Sequence, residues 1–246
     1  DRLTDEAIRL IENNKEKPFF LNLCYYDVHI PIQAKEKYIE KYKAKAKLKG
    51  LDKIKALEEG EHFPCEHKKN ERILRRLVHS DPVYAAMVEI LDENIGRLLK
   101  AVEDAGQADN TVVIFTSDNG GLSTAETSPT SNKPLNEGKG WMYEGGTRDP
   151  LIIRFPGMIK PGSVCHEPVT SPDFYPTMLE MAGLPLIPEQ HVDGVSFLPL
   201  LNGAAELSRE ALFWHYPHYG NQGGTPGSSI LMGDYKLIEF FEDNRL

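Results

Sequence analysis

Apolar residues follow two spacings along this chain, one helical and one typical of strands. From Tyr84 to Val102 they recur every three or four positions, which predicts a long amphipathic helix beginning at Asp81-Pro82 and ending near Gly106. Two nearly continuous apolar runs, Phe19–Tyr25 and Thr111–Thr116, predict strands. Such runs are typical of central strands in a parallel sheet, buried on both faces by helices.

Further segments continue the alternation of helix and strand. Thr4 is the predicted cap of a first helix, Leu151–Phe155 reads as a short strand, and Ser171-Pro172-Asp173 starts a helix that Gly183 ends. This order predicts an α/β fold in which helices cover both faces of the sheet.

The last part of the chain has a different pattern. Leu212–Tyr216, Ile230–Met232 and Tyr235–Phe241 read as strands, with a turn signal at Gly233-Asp234. We therefore expect a small antiparallel element packed on the main sheet. Residues 1–205 form the predicted core domain and residues 206–246 the start of this subdomain.

Residues 35–80 are polar and rich in lysine. Their pattern is not an amphipathic stripe, so we interpret the segment as a variable helical insertion at the surface. A patch that binds polyanions is the less favoured alternative.

Composition excludes little beyond this. The net charge of −9 argues against nucleic acid as a partner, and no apolar run approaches the roughly 20 residues that a membrane helix needs. The three cysteines have neither the number of a disulfide framework nor the spacing of a zinc site.

Candidate chemistry begins after the second apolar run, where Asp118 and Asn119 precede two glycines. Ligands of open α/β sheets bind beyond the carboxyl ends of strands, and carboxylate and amide oxygens suit Ca²⁺ or Mg²⁺. The pair predicts one edge of a metal site, with a plain Asp-Asn-Gly turn as an even alternative.

Two further residues suit an anionic substrate. Lys139 lies between Gly138 and Gly140, where the backbone can approach a ligand, although flexible surface lysines are common. His29 follows the first predicted strand and can transfer a proton near neutral pH, although alone it reads as a surface residue. Together with a metal they suit a tetrahedral oxyanion ester.

With these motifs in order, the chain resembles the type I sulfatases of the alkaline phosphatase superfamily. The matching segments span about residues 1–241: Tyr26-x-x-His29-x-Pro31, Ser117-Asp-Asn-Gly-Gly121, Gly138-Lys-Gly-x-x-x-Glu-Gly-Gly-x-Arg148, Ser171-Pro-Asp-Phe-Tyr-Pro-Thr and Asp193-Gly-Val-Ser-Phe-Leu-Pro-Leu-Leu201.

The resemblance implies part of an alkaline-phosphatase-like sheet sandwiched by helices, and roles for the matching residues. Asp118 and Asn119 would bind one divalent cation, usually Ca²⁺ with Mg²⁺ as the alternative. Lys139 would contact the sulfate, and His29 would act as the acid at the ester oxygen. His215 and His218, in an aromatic stretch, would line the substrate pocket, with a packed strand edge as an equal alternative.

The chain departs from the family at one decisive point. Family members use a formylglycine made within Cys/Ser-x-Pro-x-Arg, and none of Cys24, Cys65 and Cys165 begins that signature. The aspartate pair that completes the family's metal site also has no counterpart. We therefore expect a carboxyl-terminal portion of a sulfatase, inactive alone, with its formylglycine upstream.

For the whole enzyme the resemblance implies hydrolysis of sulfated carbohydrates or aryl sulfates, in the periplasm or outside the cell. The expected partners are sulfated small molecules or glycans, with no nucleic acid and no membrane insertion; the oligomeric state is open. The alternatives are a phosphoester or phosphonate-ester hydrolase of the same superfamily, and a non-catalytic module that binds Ca²⁺ or sulfated glycans.

Overall fold

The computed structural model describes residues 1–242, which form two compact units. The first comprises residues 1–111, 119–149 and 219–225, and the second comprises residues 112–118, 150–218 and the described residues from 226 onward. Helices and antiparallel sheets occur in the chain together, so the α/β class is confirmed. The predicted division at residue 205 does not coincide with these units and stays a prediction.

Three helices lie in the first unit: α1 (Arg2–Asn13), α2 (Glu36–Leu48) and α3 (Pro82–Asp104). Helix α3 packs against both α1 and α2. The α3 prediction is confirmed. The Asp81 carboxylate accepts hydrogen bonds from the first-turn amides of Val83 and Tyr84, both at 2.9 Å. After the last turn the chain turns away at Gly106 with a φ of 71°.

The start of α1 was predicted wrongly. The helix begins at Arg2 with Asp1 as the N-cap, so Thr4 lies inside it. The Thr4 side chain is fully buried and its hydroxyl bonds the Tyr25 hydroxyl at 3.0 Å. In the sequence alone, a threonine that bonds a distant side chain cannot be distinguished from one that caps a helix, because each is a hydroxyl residue near the start of the helix.

The segment 35–80 is only partly helical, which corrects the expectation of a helical insertion. After α2, strands β1 (Leu57–His62) and β2 (Arg72–Arg76) pair antiparallel as a hairpin. Ile73 is fully buried and packs with Phe63, Cys65 and Ala125, so the hairpin contributes to the hydrophobic core of its unit. The few apolar residues that indicate these strands are interspersed with many charged residues, so the sequence pattern did not predict the hairpin.

The predicted strand at residues 19–25 does not form. The side chains alternate between half-buried and exposed, as in an extended chain, but no strand pairs with this segment among the described residues. Phe20 is 75% exposed. Apolar content predicted the extended backbone correctly, whereas a strand also requires a hydrogen-bonding partner.

In the second unit, β3 (Val113–Thr116) pairs with β4 (Leu151–Arg154). The pairing is antiparallel, so the expected parallel neighbour of β3 is wrong within the described residues. Phe115 is 36% exposed, and the strand is not buried on both faces. An apolar run records a preference for burial but carries no information on strand direction.

The small antiparallel sheet is confirmed as β5 (Leu212–Tyr216), β6 (Gly227–Met232) and β7 (Tyr235–Phe240), in that order. Its last two strands are joined at Gly233-Asp234, as predicted. A one-turn helix, α4 (Glu144–Thr147), lies in the first unit. In the second unit, two short helices, α5 (Phe174–Met181) and α6 (Leu198–Leu201), supply the core, with Phe197 almost fully buried against Phe174.

The start of α5 is held by a buried carboxylate. Asp173 is inaccessible to solvent, accepts hydrogen bonds from the amides of Thr170 and Val195 at 2.8 Å, and pairs with Arg209 at 2.8 Å. The Thr170 side chain completes a capping box, so the Ser-Pro-Asp helix start is confirmed. Within residues 1–242, no helix has the length and apolar character to span a membrane.

Candidate functional site

The first unit brings together two residues that are 110 positions apart. His29 lies in a turn closed by its own amide, which donates to the Tyr26 carbonyl at 2.8 Å. Its ring nitrogen Nε2 lies 2.7 Å from Nζ of Lys139, and Nδ1 lies 3.1 Å from the Ile30 carbonyl oxygen. If Nδ1–H donates to that carbonyl, Nε2 accepts a hydrogen bond from the ammonium group. The structure therefore pairs the predicted acid with the predicted anion ligand.

The backbone of the lysine loop is fixed to the loop that follows Asn119. The amide of Lys139 donates to the Gly121 carbonyl at 3.1 Å. The Asn132 amide nitrogen donates to the carbonyls of Gly121 at 2.8 Å and Glu137 at 2.9 Å, while its oxygen accepts the Gly121 N–H at 3.1 Å. One side chain thus holds both loops in register.

The same loops pack backbone against backbone, which explains their glycines. A Cβ at Gly120 would lie 1.7 Å from the Gly145 carbonyl oxygen, and a Cβ at Gly138 would lie 2.2 Å from the Gly121 carbonyl oxygen. A Cβ at Gly146 would lie 2.1 Å from the Trp141 carbonyl oxygen. No other residue fits these positions without moving the backbone.

Arg75 of the β1–β2 hairpin reaches the residue before Gly138. Its Nε donates to the Glu137 carboxylate at 2.8 Å, and its two terminal nitrogens bind Glu61 at 2.7 and 2.8 Å. Glu137 has a left-handed backbone, with φ at 56°, and its side chain is 9% exposed. Burial raises the pKa of the Glu137 carboxyl, and Arg75 opposes that shift.

A second contact fixes the loop from its other end. The Trp141 indole N–H lies 3.1 Å from both the Thr124 hydroxyl and the Gln222 carbonyl, and Thr124 itself donates to that carbonyl at 2.7 Å. The Arg75 guanidinium lies 5.6 Å from the Trp141 ring centroid. Lys139 is therefore held between anchored residues at positions 137 and 141.

The two predicted metal ligands are consecutive residues at the boundary of the two units, with Asp118 in the second and Asn119 in the first. Their oxygens fit the chemistry of Ca²⁺, which takes six to eight oxygen ligands, but two side chains cannot complete such a shell. Among residues 1–242, His, Cys, Asp and Glu form no group of three or more able to hold a metal. Cation binding at Asp118 and Asn119 therefore stays a prediction.

His215 and His218 lie in the second unit. His215 is on β5, with Nδ1 2.7 Å from the Ser228 hydroxyl and its ring 5.8 Å from Phe241. His218 packs edge-on against Tyr216 at 5.3 Å. These contacts fit the packed-strand alternative, and a role of either histidine in substrate binding stays a prediction.

Two residues that shape the lysine loop were missed by sequence reasoning. Asn132 lies in Ser-Asn-Lys-Pro, which reads as an ordinary loop, and Arg75 lies in a segment interpreted as an insertion. Each acts over a distance in the chain, Arg75 on a residue 62 positions away. No local pattern could have indicated either contact.

Comparison with known proteins agrees with this arrangement. The family model for the sulfatases matches residues 1–184, three quarters of the chain, and this range includes the positions of His29, Asp118, Asn119 and Lys139. The chain belongs to the sulfatase family. The model for the carboxyl-terminal part of N-sulphoglucosamine sulphohydrolases matches residues 137–246.

Individual proteins are similar over about two thirds of this chain or more. A sulfatase from Formosa agariphila is 36% identical, covering 99% of this chain and 42% of the relative. The crystal structure of Ps i-CgsB superposes with a TM-score of 0.73 at 28% identity, covering 97% of this chain and 45% of that one. BT4656, solved with its substrate D-glucosamine-2-N,6-O-disulfate, is 34% identical over 66% of this chain and 32% of its own, with a TM-score of 0.54.

These neighbours confirm the predicted alkaline-phosphatase-like fold and the sulfatase resemblance. The chain spans less than half the length of these relatives.

Proposed function

We propose that this chain is a portion of a sulfuric ester hydrolase that cleaves sulfate monoesters of carbohydrates or aryl alcohols. The observation that carries the proposal is the 2.7 Å contact between His29 Nε2 and Lys139 Nζ, which joins a proton carrier to a cation. The sulfatase family model and the sulfatase relatives support the reaction class.

In this proposal Lys139 binds a non-bridging sulfate oxygen and balances its charge. The ammonium is a compact point charge, which suits a single non-bridging oxygen of the sulfate. Anchoring at Glu137 and Trp141 holds the loop backbone before substrate arrives, so the change on ester binding is limited to the Lys139 and His29 side chains.

His29 protonates the departing alcohol oxygen. At 2.7 Å, Nε2 and Nζ have no oxygen between them, so ester binding must first separate the two atoms. An oxygen that accepts from both nitrogens needs them up to about 5.6 Å apart. Displacement of Lys139 from Nε2 frees that nitrogen to carry the proton that the alkoxide requires.

Two groups outside the described residues complete the proposal. A divalent cation, Ca²⁺ or Mg²⁺, bound through Asp118 and Asn119 would neutralise sulfate charge, and an upstream formylglycine would supply the nucleophile. Two similar proteins support a sulfated carbohydrate as substrate, since Ps i-CgsB has been solved with a neocarrahexaose and BT4656 with a glucosamine disulfate.

The test uses a longer protein that carries this chain together with the formylglycine segment. Lys139→Ala is expected to lower kcat/KM for an aryl sulfate at least a hundredfold, since one preorganised charge contact is worth about 2.7–4 kcal/mol in related sites. Lys133→Ala, a change at an exposed lysine of the same loop, is the matched control and should stay within twofold of wild type.

His29→Ala should lower kcat more for alkyl than for activated aryl sulfates, because a poor leaving group depends more on protonation. An equal loss of kcat for both kinds of ester would contradict the role of His29 as the acid.

The phosphoesterase alternative is tested with the wild-type longer protein. Faster hydrolysis of phosphate monoesters than of sulfate esters would favour that alternative.

A further inference from the structure

The charge of this protein is distributed very unevenly. Residues 35–55 hold nine lysines and three acidic residues, a net charge of +6, in a chain whose total is −9. The rest of the chain therefore carries −15. A segment of such opposite sign indicates a local anion-binding surface that the whole-chain charge conceals.

The structure leaves most of these lysines available. All nine are exposed. Three of them are paired: Lys35 with Asp1, Lys41 with Glu89, and Lys43 with Glu36 and Glu40. The other six have no acidic partner within 4 Å in the part of the chain that the structure describes; they are Lys37, Lys45, Lys47, Lys49, Lys53 and Lys55.

Helical spacing places four lysines on one side of α2. Lys37, Lys41, Lys45 and the C-cap Lys49 follow one another at intervals of four residues, about 6 Å along the axis, and we call them the lysine stripe. That spacing is shorter than the screening length of about 8 Å at physiological salt, so their potentials add.

Helix stability does not explain this stripe. Cations favour the carboxyl end of a helix, but Lys37 lies in the first turn of α2. Like charges four residues apart also destabilise a helix, by about 0.2–0.5 kcal/mol per pair. Repulsion along the stripe is therefore unfavourable within α2. Of the stripe, Glu89 pairs with Lys41 alone, and Lys37 and Lys45 lie over tyrosine rings. The charge of Lys37, Lys45 and Lys49 therefore stays available to an anionic ligand.

The stripe begins a short distance along the chain from the candidate site. Lys37 follows His29 by eight positions, and a chain of that length spans at most about 29 Å. One extended anionic polymer of several sugars can therefore reach from the His29–Lys139 pair to α2, because all of these residues lie in the first unit.

We propose that the lysine stripe binds a sulfated polysaccharide, holding a polymeric substrate whose sulfate ester lies at His29 and Lys139. This inference rests on the proposed function for the choice of polymer. Sulfate groups repeated along a sugar chain match a row of ammonium groups, which act as point charges without a fixed hydrogen-bond geometry.

Nucleic acid fits the surface less well. Single strands bind through aromatic rings that stack on bases, but lysine ammonium groups cover both tyrosine rings of α2, Lys37 at Tyr38 and Lys45 at Tyr42, 4.5 and 5.3 Å from the ring centroids. The charge of −15 on the rest of the chain also repels a long phosphate polymer.

The experiment measures binding of dextran sulfate to the purified chain, with unsulfated dextran and a single-stranded oligonucleotide as comparison ligands. The variant K37Q/K45Q/K49Q should bind dextran sulfate about tenfold or more weakly at 50 mM salt, with a shallower dependence of log K on log salt. The matched control K15Q/K17Q/K160Q removes three exposed, unpaired lysines elsewhere and should stay within twofold.

A second measurement needs no variant. Dextran sulfate should protect Lys37, Lys45 and Lys49 of the wild-type chain from acylation while Lys15 and Lys17 stay reactive. Equal losses in both triple variants, uniform protection, or tighter binding of the oligonucleotide would overturn the proposal.

Turnover of a small aryl sulfate separates this inference from the proposed function. K37Q/K45Q/K49Q in the longer protein should leave that turnover unchanged, since a small ester does not reach α2. Loss of aryl sulfate turnover in Lys139→Ala without loss of dextran sulfate binding would support both assignments independently.

Discussion

At the scale of single residues, the candidate site depends on positions that have no side chain. Gly120, Gly138 and Gly146 each face a carbonyl oxygen at a distance that no Cβ tolerates. The sequence predicted glycines for close approach to a ligand, whereas the structure shows that they allow close approach of the backbone to itself. Lys139 and His29 were predicted separately, and their contact could not be, because no sequence pattern measures a distance between residues 110 positions apart.

Two glycine substitutions in the first unit should change stability in opposite directions. Gly120→Ala forces its Cβ toward the Gly145 carbonyl, and we expect a loss of about 1–3 kcal/mol or more in the free energy of unfolding. Gly96→Ala, in the middle of α3 with open space around it, should raise stability by about 0.5–1 kcal/mol. Urea unfolding of both variants measures the difference. A neutral Gly120→Ala would show that the loops are not packed as described.

At the scale of elements, the helices and the carboxyl-terminal hairpin were predictable and the strand partners were not. The apolar spacing, the N-cap and the terminating glycine of the long helix α3 all lie in or next to its own sequence. The turn that joins β6 to β7 is likewise local in the sequence. Pairing is a relation between distant segments. For this reason the sequence of β3 predicted a strand but could not predict that its neighbour is antiparallel. The sequence of residues 19–25 predicted an extended chain but could not predict that no strand pairs with it among the described residues.

The β1–β2 hairpin is expected to act on the lysine loop through Arg75. Arg75→Gln removes the cation shared by the largely buried Glu137 carboxylate and the exposed Glu61 carboxylate, and the loss at Glu137 should cost about 1–3 kcal/mol at pH 7. Burial already raises the pKa of Glu137, and loss of Arg75 raises it further.

The pH dependence of this variant follows from that direction. A carboxyl group whose pKa is raised in the folded state lowers stability as pH rises through its folded value, because the folded state then holds the proton more tightly than the unfolded state. The deficit of Arg75→Gln should therefore shrink as pH falls toward the folded pKa of Glu137. Thermal unfolding between pH 4.5 and 8 tests this, with the exposed Arg72→Gln as the control. A deficit independent of pH would mean that Arg75 acts through its contact with Trp141.

At the scale of the whole molecule, the chain belongs to the sulfatase family and spans less than half the length of the relatives it matches. It covers 42% of the Formosa agariphila relative, and Asp118 and Asn119 offer too few oxygens to enclose a cation. The resemblance predicted the family and the fold from motifs in order, and both are confirmed. Metal binding, the formylglycine and the roles of His215 and His218 stay predictions.

The 246-residue chain alone is expected to hydrolyse no aryl sulfate above the blank, since it lacks the Cys/Ser-x-Pro-x-Arg signature for the nucleophile. Calorimetry should likewise detect only weak Ca²⁺ binding, which Asp118→Asn weakens further. Clear turnover that disappears in Lys139→Ala would contradict this expectation and place a nucleophile within these residues.

The contact between His29 and Lys139 can form only when the first unit is completely folded. It closes a loop of 110 residues, whose closure entropy alone is about 4 kcal/mol, and the whole of α2, the hairpin and α3 lies within that loop. A partly folded chain can hold a stable α3 and still have no site. A spectroscopic signal from His29 would therefore appear late in refolding, after the helices, and would report the native first unit rather than its parts.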